Sequence, residues 1–345
     1  MLKKNSARER TSMQKRMHVF LSVLIVFATF SFWPTAHAAV PANTAAPLAV
    51  EQYAQLQANA LGTSDPDWLA AKLEYFPLGP GTHGWLVYAS VQNKQIGYMI
   101  ISITEQGQLI LSEYGHGEQS LYNNELLGQA LERQHINLKT LQNGGWKVTR
   151  HYAPPLLAYW KVARANHMDM YIDASNGDLL PNAALEHLET SSLSEHDSLN
   201  KYPNSPIYAA KSTFTTSSVH VREPFDPSLQ LTWLTSEPLR ISQVQAQIVG
   251  SSSGALVFAA EELNLFYGGP LPVSGHQLWH AETSPEKGSD NLISPGSNSN
   301  SGSDSDLNSD SGAAFYVGLG GSNSIERYVP LRQLLRDGGF YMTRP

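Results

Sequence analysis

Leu73-Glu74-Tyr75-Phe76, Trp85-Leu86-Val87-Tyr88, Ile96-Gly97-Tyr98-Met99-Ile100-Ile101 and Leu109-Ile110-Leu111 follow one another closely in the chain. Each run is short and rich in aromatic or β-branched residues, and Gly, Pro or Asn93-Lys94 separates it from its neighbours. Such residues suit a pleated, half-buried backbone and the separators suit turns, so the stretch predicts antiparallel strands, with Gln106-Gly107 closing a hairpin. Helical spacing flanks it. Val50, Tyr53, Leu56 and Ala60 predict a short amphipathic helix stopped by Leu61-Gly62 and Pro66. Leu126, Leu127, Ala130, Leu131, Leu138 and Leu141 predict a second helix, capped by Asn124 and ending at Gly144-Gly145. Strands return at Leu156 to Val162 and Met170 to Asp173, and Asn176-Gly177 then offers a tight turn. The expected fold class is α+β, opening with an antiparallel-sheet module of two helices over 39–183 that has enough apolar residues for its own core.

Residues 184–205 have linker composition, with Glu, Ser, His, Asp and Asn among scattered leucines. A β-rich C-terminal module is expected over 206–345. Its strongest elements are Gln230 to Leu234, Val244 to Val249, Ala255 to Tyr267 and Phe315 to Leu319, followed by a helix opened by Pro330 and stopped by Gly338-Gly339. Within it, 294–312 is almost only Ser, Asn, Gly and Asp, with Leu307 the one sizeable apolar residue. Burial cannot offset the ordering entropy of such a stretch, which predicts a disordered low-complexity loop.

The chain begins with Lys3, Lys4, Arg8, Arg10, Lys15 and Arg16 against Glu9, then an apolar run from Val19 to Trp33, then Ala36-His37-Ala38. That order predicts a signal peptide over 1–38, cleaved before Ala39, and a secreted protein, extracellular or cell-wall associated. The competing reading is an uncleaved anchor, but the run is shorter than the ~20 residues needed to span hydrocarbon, so no stable membrane anchor is expected after cleavage. Cleavage removes six bases and one acid, leaving 17 against 29, and shifts the net charge from −7 to −12. So acidic a chain is a poor partner for nucleic acid. The absence of cysteine excludes disulfides, thiolate metal sites and thiol nucleophiles.

Gly84-Trp85-Leu86-Val87-Tyr88-Ala89, Gly97-Tyr98-Met99-Ile100-Ile101-Ser102 and Leu109-Ile110-Leu111-Ser112-Glu113-Tyr114-Gly115 resemble the propeptide and inhibitor modules of streptopain-type cysteine proteases. Tyr159-Trp160-Lys161-Val162 with Tyr171-Ile172-Asp173-Ala174-Ser175-Asn176-Gly177-Asp178-Leu179-Leu180 is similar to the closing hairpin of PepSY-type domains. The resemblance covers roughly 48–181. It implies a small α+β module of secreted bacterial proteins that restrains or assists a protease, here through apolar hairpin faces around Trp85, Tyr98 and Tyr114. With no cysteine in the chain, a downstream protease of that kind is absent or dead.

Four patterns suggest other chemistry. Gly250-Ser251-Ser252-Ser253-Gly254 fits G-x-S-x-G, with Ser252 as nucleophile if 255–267 is a helix, yet Glu261, Glu262, His276 and His280 follow too closely for an ordinary triad. His276 and His280 would share a helix face and could bind zinc with Glu282 or Asp290, but the segment reads as a strand with Trp279 buried. Asp304, Asp306, Asn308 and Asp310 alternate like a calcium loop, with Ser309 where Gly is required and Phe315 where Glu is required. Trp68, Trp85, Trp146 and Trp160 could stack on sugar or peptide, although large aromatics in short strands are more often core. The expectation is a non-enzymatic protein with no catalytic, metal or cofactor site. Its partner would be another protein, a secreted protease in the leading reading. The alternatives are an extracellular serine or metal-dependent hydrolase, or a cell-surface or spore-associated interaction protein.

Overall fold

The turn between the second and third of the opening strands shows how local sequence fixes this sheet. Gln92 and Asn93 both take positive φ, 52° and 65°, which a tight hairpin of this hand requires and asparagine tolerates. The computed structural model describes residues 45–79, 84–104, 107–119, 121–137, 141, 144–182, 185, 214–223, 225–250, 254–260, 269–281, 313–320 and 325–343. The predicted signal peptide, most of the 184–205 linker and the 294–312 loop lie outside them.

Helix α1, Leu48–Leu61, buries Val50, Tyr53, Ala54, Gln57, Ala58 and Leu61, the one-sided stripe expected of its spacing. A 3₁₀ turn, Pro66–Ala70, follows, in which the Asp65 side chain accepts from the Asp67 amide and Trp68 is fully buried. Strands β1 (Lys72–Leu78), β2 (Gly84–Val91), β3 (Lys94–Ile103) and β4 (Leu109–His116) then run as an antiparallel meander. Gly97 is required by packing: a Cβ there would sit 2.5 Å from the Gly115 carbonyl oxygen and 2.6 Å from the Trp68 ring.

Helix α2, Asn124–Arg133, is shorter than the leucine spacing predicts, and its cap is Asn123, whose Oδ1 accepts from Glu125 N. His135 takes a left-handed φ of 59° and Ile136 N donates back to Leu131 O. This helix-ending bond pattern stops the helix before Leu138. Strands β5 (Trp146–Ala153), β6 (Leu157–Arg164) and β7 (Met170–Asp173) make a separate three-stranded antiparallel sheet. Gly177, with φ 77°, closes the predicted Asn176-Gly177 turn.

Strands β8 (Phe214–Thr216) and β9 (His220–Val221) come next, then a 3₁₀ turn at Leu231–Thr235 and helix α3 at Ile241–Val249. Two of the strong C-terminal segments are therefore helical, because Val244 and Ile248, one helical turn apart, both face the core. Strands β10 (Leu256–Ala259), β11 (Leu271–Ala281), β12 (Ala313–Leu319) and β13 (Arg327–Pro330), helix α4 (Leu331–Asp337) and strand β14 (Gly339–Met342) complete the described chain. The segment from Ala255 opens as strand β10, not as the helix a nucleophile elbow needs. The architecture is α+β.

The large sheet has eleven strands among the described residues. Its path runs β1-β2-β3-β4-β13-β12-β11-β10-β14, with β8 and β9 pairing β11 beyond β10, on the side away from β12. Strands from before and after the 184–205 stretch thus share one sheet, joined where Tyr114 of β4 pairs Tyr328 of β13. The cores follow the sheet's faces. One gathers Val50, Tyr53 and Leu61 of α1 with Trp68, Trp85 and Met99, and also Trp279, Tyr316 and Tyr328. A second gathers Leu86, Tyr98 and Ile100 with Leu127 and Leu131 of α2 and Trp160 and Ile172 of the small sheet. A third sets Leu157, Tyr159 and Tyr171 of the small sheet against Val244, Phe258, Val317 and Leu334.

Candidate functional site

The covered faces decide the fate of the aromatic candidates. Trp68, Trp85, Tyr98, Tyr114 and Trp160 are buried, and Trp146 is half-buried under Arg164 and beside the His167 ring. The hairpin faces around Trp85, Tyr98 and Tyr114 are therefore core, packed on both sides, and offer no ligand a stacking platform. No helix among the described residues is long and apolar enough to cross a membrane.

Two polar networks tie β4 to the C-terminal strands. Glu113 is fully buried and takes a bidentate pair from Arg327, Nε to Oε1 and Nη2 to Oε2, both at 2.7 Å. Tyr98 donates to Oε1 at 2.7 Å, and the Tyr152 hydroxyl lies 2.9 Å from Oε2. Burial works against the Arg327 charge, but the Glu113 carboxylate and its hydrogen bonds override that and hold the guanidinium above its ordinary pKa. In the second network Tyr114 donates to Gln277 Oε1, while Gln277 Nε2 donates to Ser64 Oγ at 2.9 Å and to Ser217 O at 2.8 Å. Ser64 in turn meets Thr216 Oγ1 at 2.7 Å. Both networks join β4 to strands that lie after the 184–205 stretch.

His276 and His280 lie on β11, a strand, where four residues span about 13 Å. They share a face but not a metal ion's reach. His280 is exposed and pairs Thr215 and Ala313 in the ladder; Trp279, on the opposite face, is buried. Ser252, Glu261, Glu262, Glu282, Asp290 and the Asp304 to Asp310 series lie outside the described residues. Among the described residues no three or more His, Asp or Glu side chains are grouped to hold a metal.

His276 has a different neighbourhood. It is 4% exposed, its Nδ1 has no hydrogen-bond partner among the described residues, and its ring stacks on His220 at 4.6 Å with 8° between the planes. Burial, then His220, then Arg222 push its pKa down to about 4. Arg222 donates Nη1 to Gln247 O at 2.9 Å and Nη2 to Gly254 O at 3.0 Å, and burial alone lowers its pKa. Neither His220 nor Arg222 carries a signal in its local sequence. Only the β9–β11 pairing brings them to His276.

His151 is likewise held neutral. Burial, then Lys161 and Lys147, lower it to about 4. Both folded values lie below the unfolded value of 6.5, so the unfolded chain binds more protons between the two. The stability these rings contribute is complete above pH 6.5 and is lost as pH falls from 6.5 to 4. Urea unfolding at pH 7 and pH 4.5 should show this loss, and the double variant His151→Gln/His276→Gln should show a clearly smaller one. An identical pH dependence in the double variant would assign the acid sensitivity to other groups.

Two surface features remain. A small hollow of about 70 Å³ opens between α3 and α4, lined by Ile241, Gln245, Ala314, Phe315, Pro330, Leu331 and Arg332. Beside β10 and β14, the 3₁₀ turn seats Trp233 against Val257, Ala259, Phe225 and Tyr341, with its indole donating to Pro227 O at 3.0 Å. Leu231 and Leu234 of that turn, and Leu229 just before it, are 54%, 60% and 82% exposed. Comparison with family models, with curated proteins and with solved structures gives no match.

Proposed function

We propose that this is a secreted, non-catalytic binding protein that restrains or assists an extracellular protease. The observation that carries the reading is that Leu231 and Leu234 are exposed on the turn anchored by buried Trp233, with exposed Leu229 two residues before it. Apolar side chains exposed on an anchored turn supply what a protein interface needs: area to desolvate with little ordering cost. This surface takes over the binding role that the sequence assigned to the Trp85–Tyr114 hairpins. The resemblance of 48–181 to streptopain-type propeptides supports the class of partner.

The test is inhibition and direct binding of a secreted streptopain-type cysteine protease by the purified chain at micromolar concentration. Complex formation is expected, and Leu231→Asp/Leu234→Asp should weaken it at least tenfold with an unchanged unfolding midpoint, since both side chains are exposed. Absence of binding and inhibition by the unaltered chain would reject the proposal.

A further inference from the structure

Arg222, His220 and His276 stand on one face of the β9–β11 ladder. His220 pairs His276, Val221 pairs Gly275, and Arg222 N donates to Ser274 O at 2.7 Å. Side chains alternate along a strand, and residues directly opposite in a ladder share a face. The alternation places His220 and Arg222 on the side that His276 shares with its other ladder partner, Val317.

The chain carries a net charge of −7, yet the charged or chargeable groups acting on His276 are His220 and Arg222. Of the acids close by in the chain and the fold, Glu223 is exposed, and Glu326 accepts from Ser274 Oγ at 2.7 Å and Tyr328 OH at 3.0 Å through its Oε1. The Arg222 guanidinium spends two of its five N–H groups on the carbonyls of Gln247 and Gly254, which fix it beside the end of α3. Three remain. His276 Nδ1 is buried and has no hydrogen-bond partner among the described residues, a state that costs about 1–3 kcal/mol unless something bonds to it. A fixed guanidinium, a stacked second imidazole and a buried ring nitrogen thus stand on one face of the ladder, and all three favour negative charge.

The geometry points to an oxyanion site here, in which Arg222 and His276 bind a carboxylate or phosphate group and the His220 ring backs His276. The bound anion supplies the acceptor that His276 Nδ1 lacks among the described residues and balances the Arg222 charge, and it favours protonated His276. The site is independent of the leucine surface and of the protease reading.

Nitrogen-detected imidazole NMR of the intact chain tests this, with inorganic phosphate in one series and acetate in another, ionic strength being held constant with sodium chloride. The expected result is a saturable change at the His276 nitrogens in at least one series, with the His276 pKa rising by about one unit or more from its value near 4. Saturation by phosphate alone identifies a tetrahedral ligand, and saturation by acetate alone a carboxylate. His220→Gln, at an exposed position, should weaken the response at least threefold, while His280→Gln, farther along the same face, should leave it unchanged. Arg222→Gln should abolish it, but that variant also loses two structural hydrogen bonds, so the His220 variant is the deciding one. No saturable change in either series, or an equal response with His220→Gln, would overturn the proposal.

Discussion

Replacing Arg327 with Met should cost about 3–5 kcal/mol, because it strands a fully buried carboxylate without its counter-charge. For a chain of this size the loss corresponds to a fall in Tm of about 5–8 °C. The pair itself is not a large source of net stability, since desolvating both ions cancels much of their attraction. The cost comes from breaking it. Glu113→Gln/Arg327→Met should therefore recover most of the loss, as a neutral amide still accepts from Tyr98. Urea unfolding of the two variants measures both quantities. A single-variant loss below about 1 kcal/mol, or a double variant no better than the single, would mean that Glu113 is protonated or solvated after the change. The pair would then not hold β4 to β13.

The elements most legible in the sequence are those whose signals are local. Strands β1 to β4 announce themselves because aromatic and β-branched residues alternate with turn formers, and the left-handed Gln92-Asn93 pair falls where the hairpin needs it. Helix α1 is legible because Val50 and Tyr53 keep one stripe. Helix α3 is not. Ile241 to Val249 is rich in β-branched residues, and only the third core, which takes both Val244 and Ile248, settles the choice. The same limit explains the candidate sites. Whether Trp85 or Trp160 is exposed depends on what covers each face of the sheet. The covering elements, α1 on one side and α2 with the small sheet on the other, are set by contacts far apart in the chain. His220 and His276 are 56 positions apart and meet only through a two-residue strand. Glu113 reads locally as one acid in an apolar strand; its partner is 214 residues away.

A fragment of residues 39–183 should fail to unfold cooperatively, although its composition alone predicts an independent core. Cutting there removes Arg327 from Glu113 and Gln277 from Tyr114, and takes the Tyr316 hydroxyl from the Leu111 carbonyl. It also strips Trp279, Tyr316 and Tyr328 from the core that α1 covers. The small sheet fares no better, since Leu157, Tyr159 and Tyr171 lose Val244, Phe258, Val317 and Leu334. Losing several large side chains at 2–5 kcal/mol each exceeds the ~5–15 kcal/mol that holds a typical domain together. The fragment should keep some strand signal in far-UV circular dichroism, lack a near-UV aromatic spectrum and bind a hydrophobic dye. Co-expressed with residues 206–345, it should regain the near-UV spectrum, because the missing strands then pair in trans with β4. A fragment that alone gives dispersed amide resonances and one sharp urea transition would show that the first four strands, α2 and the small sheet need no support across the β4–β13 seam. The Glu113–Arg327 pair would then be a contact between two self-sufficient halves.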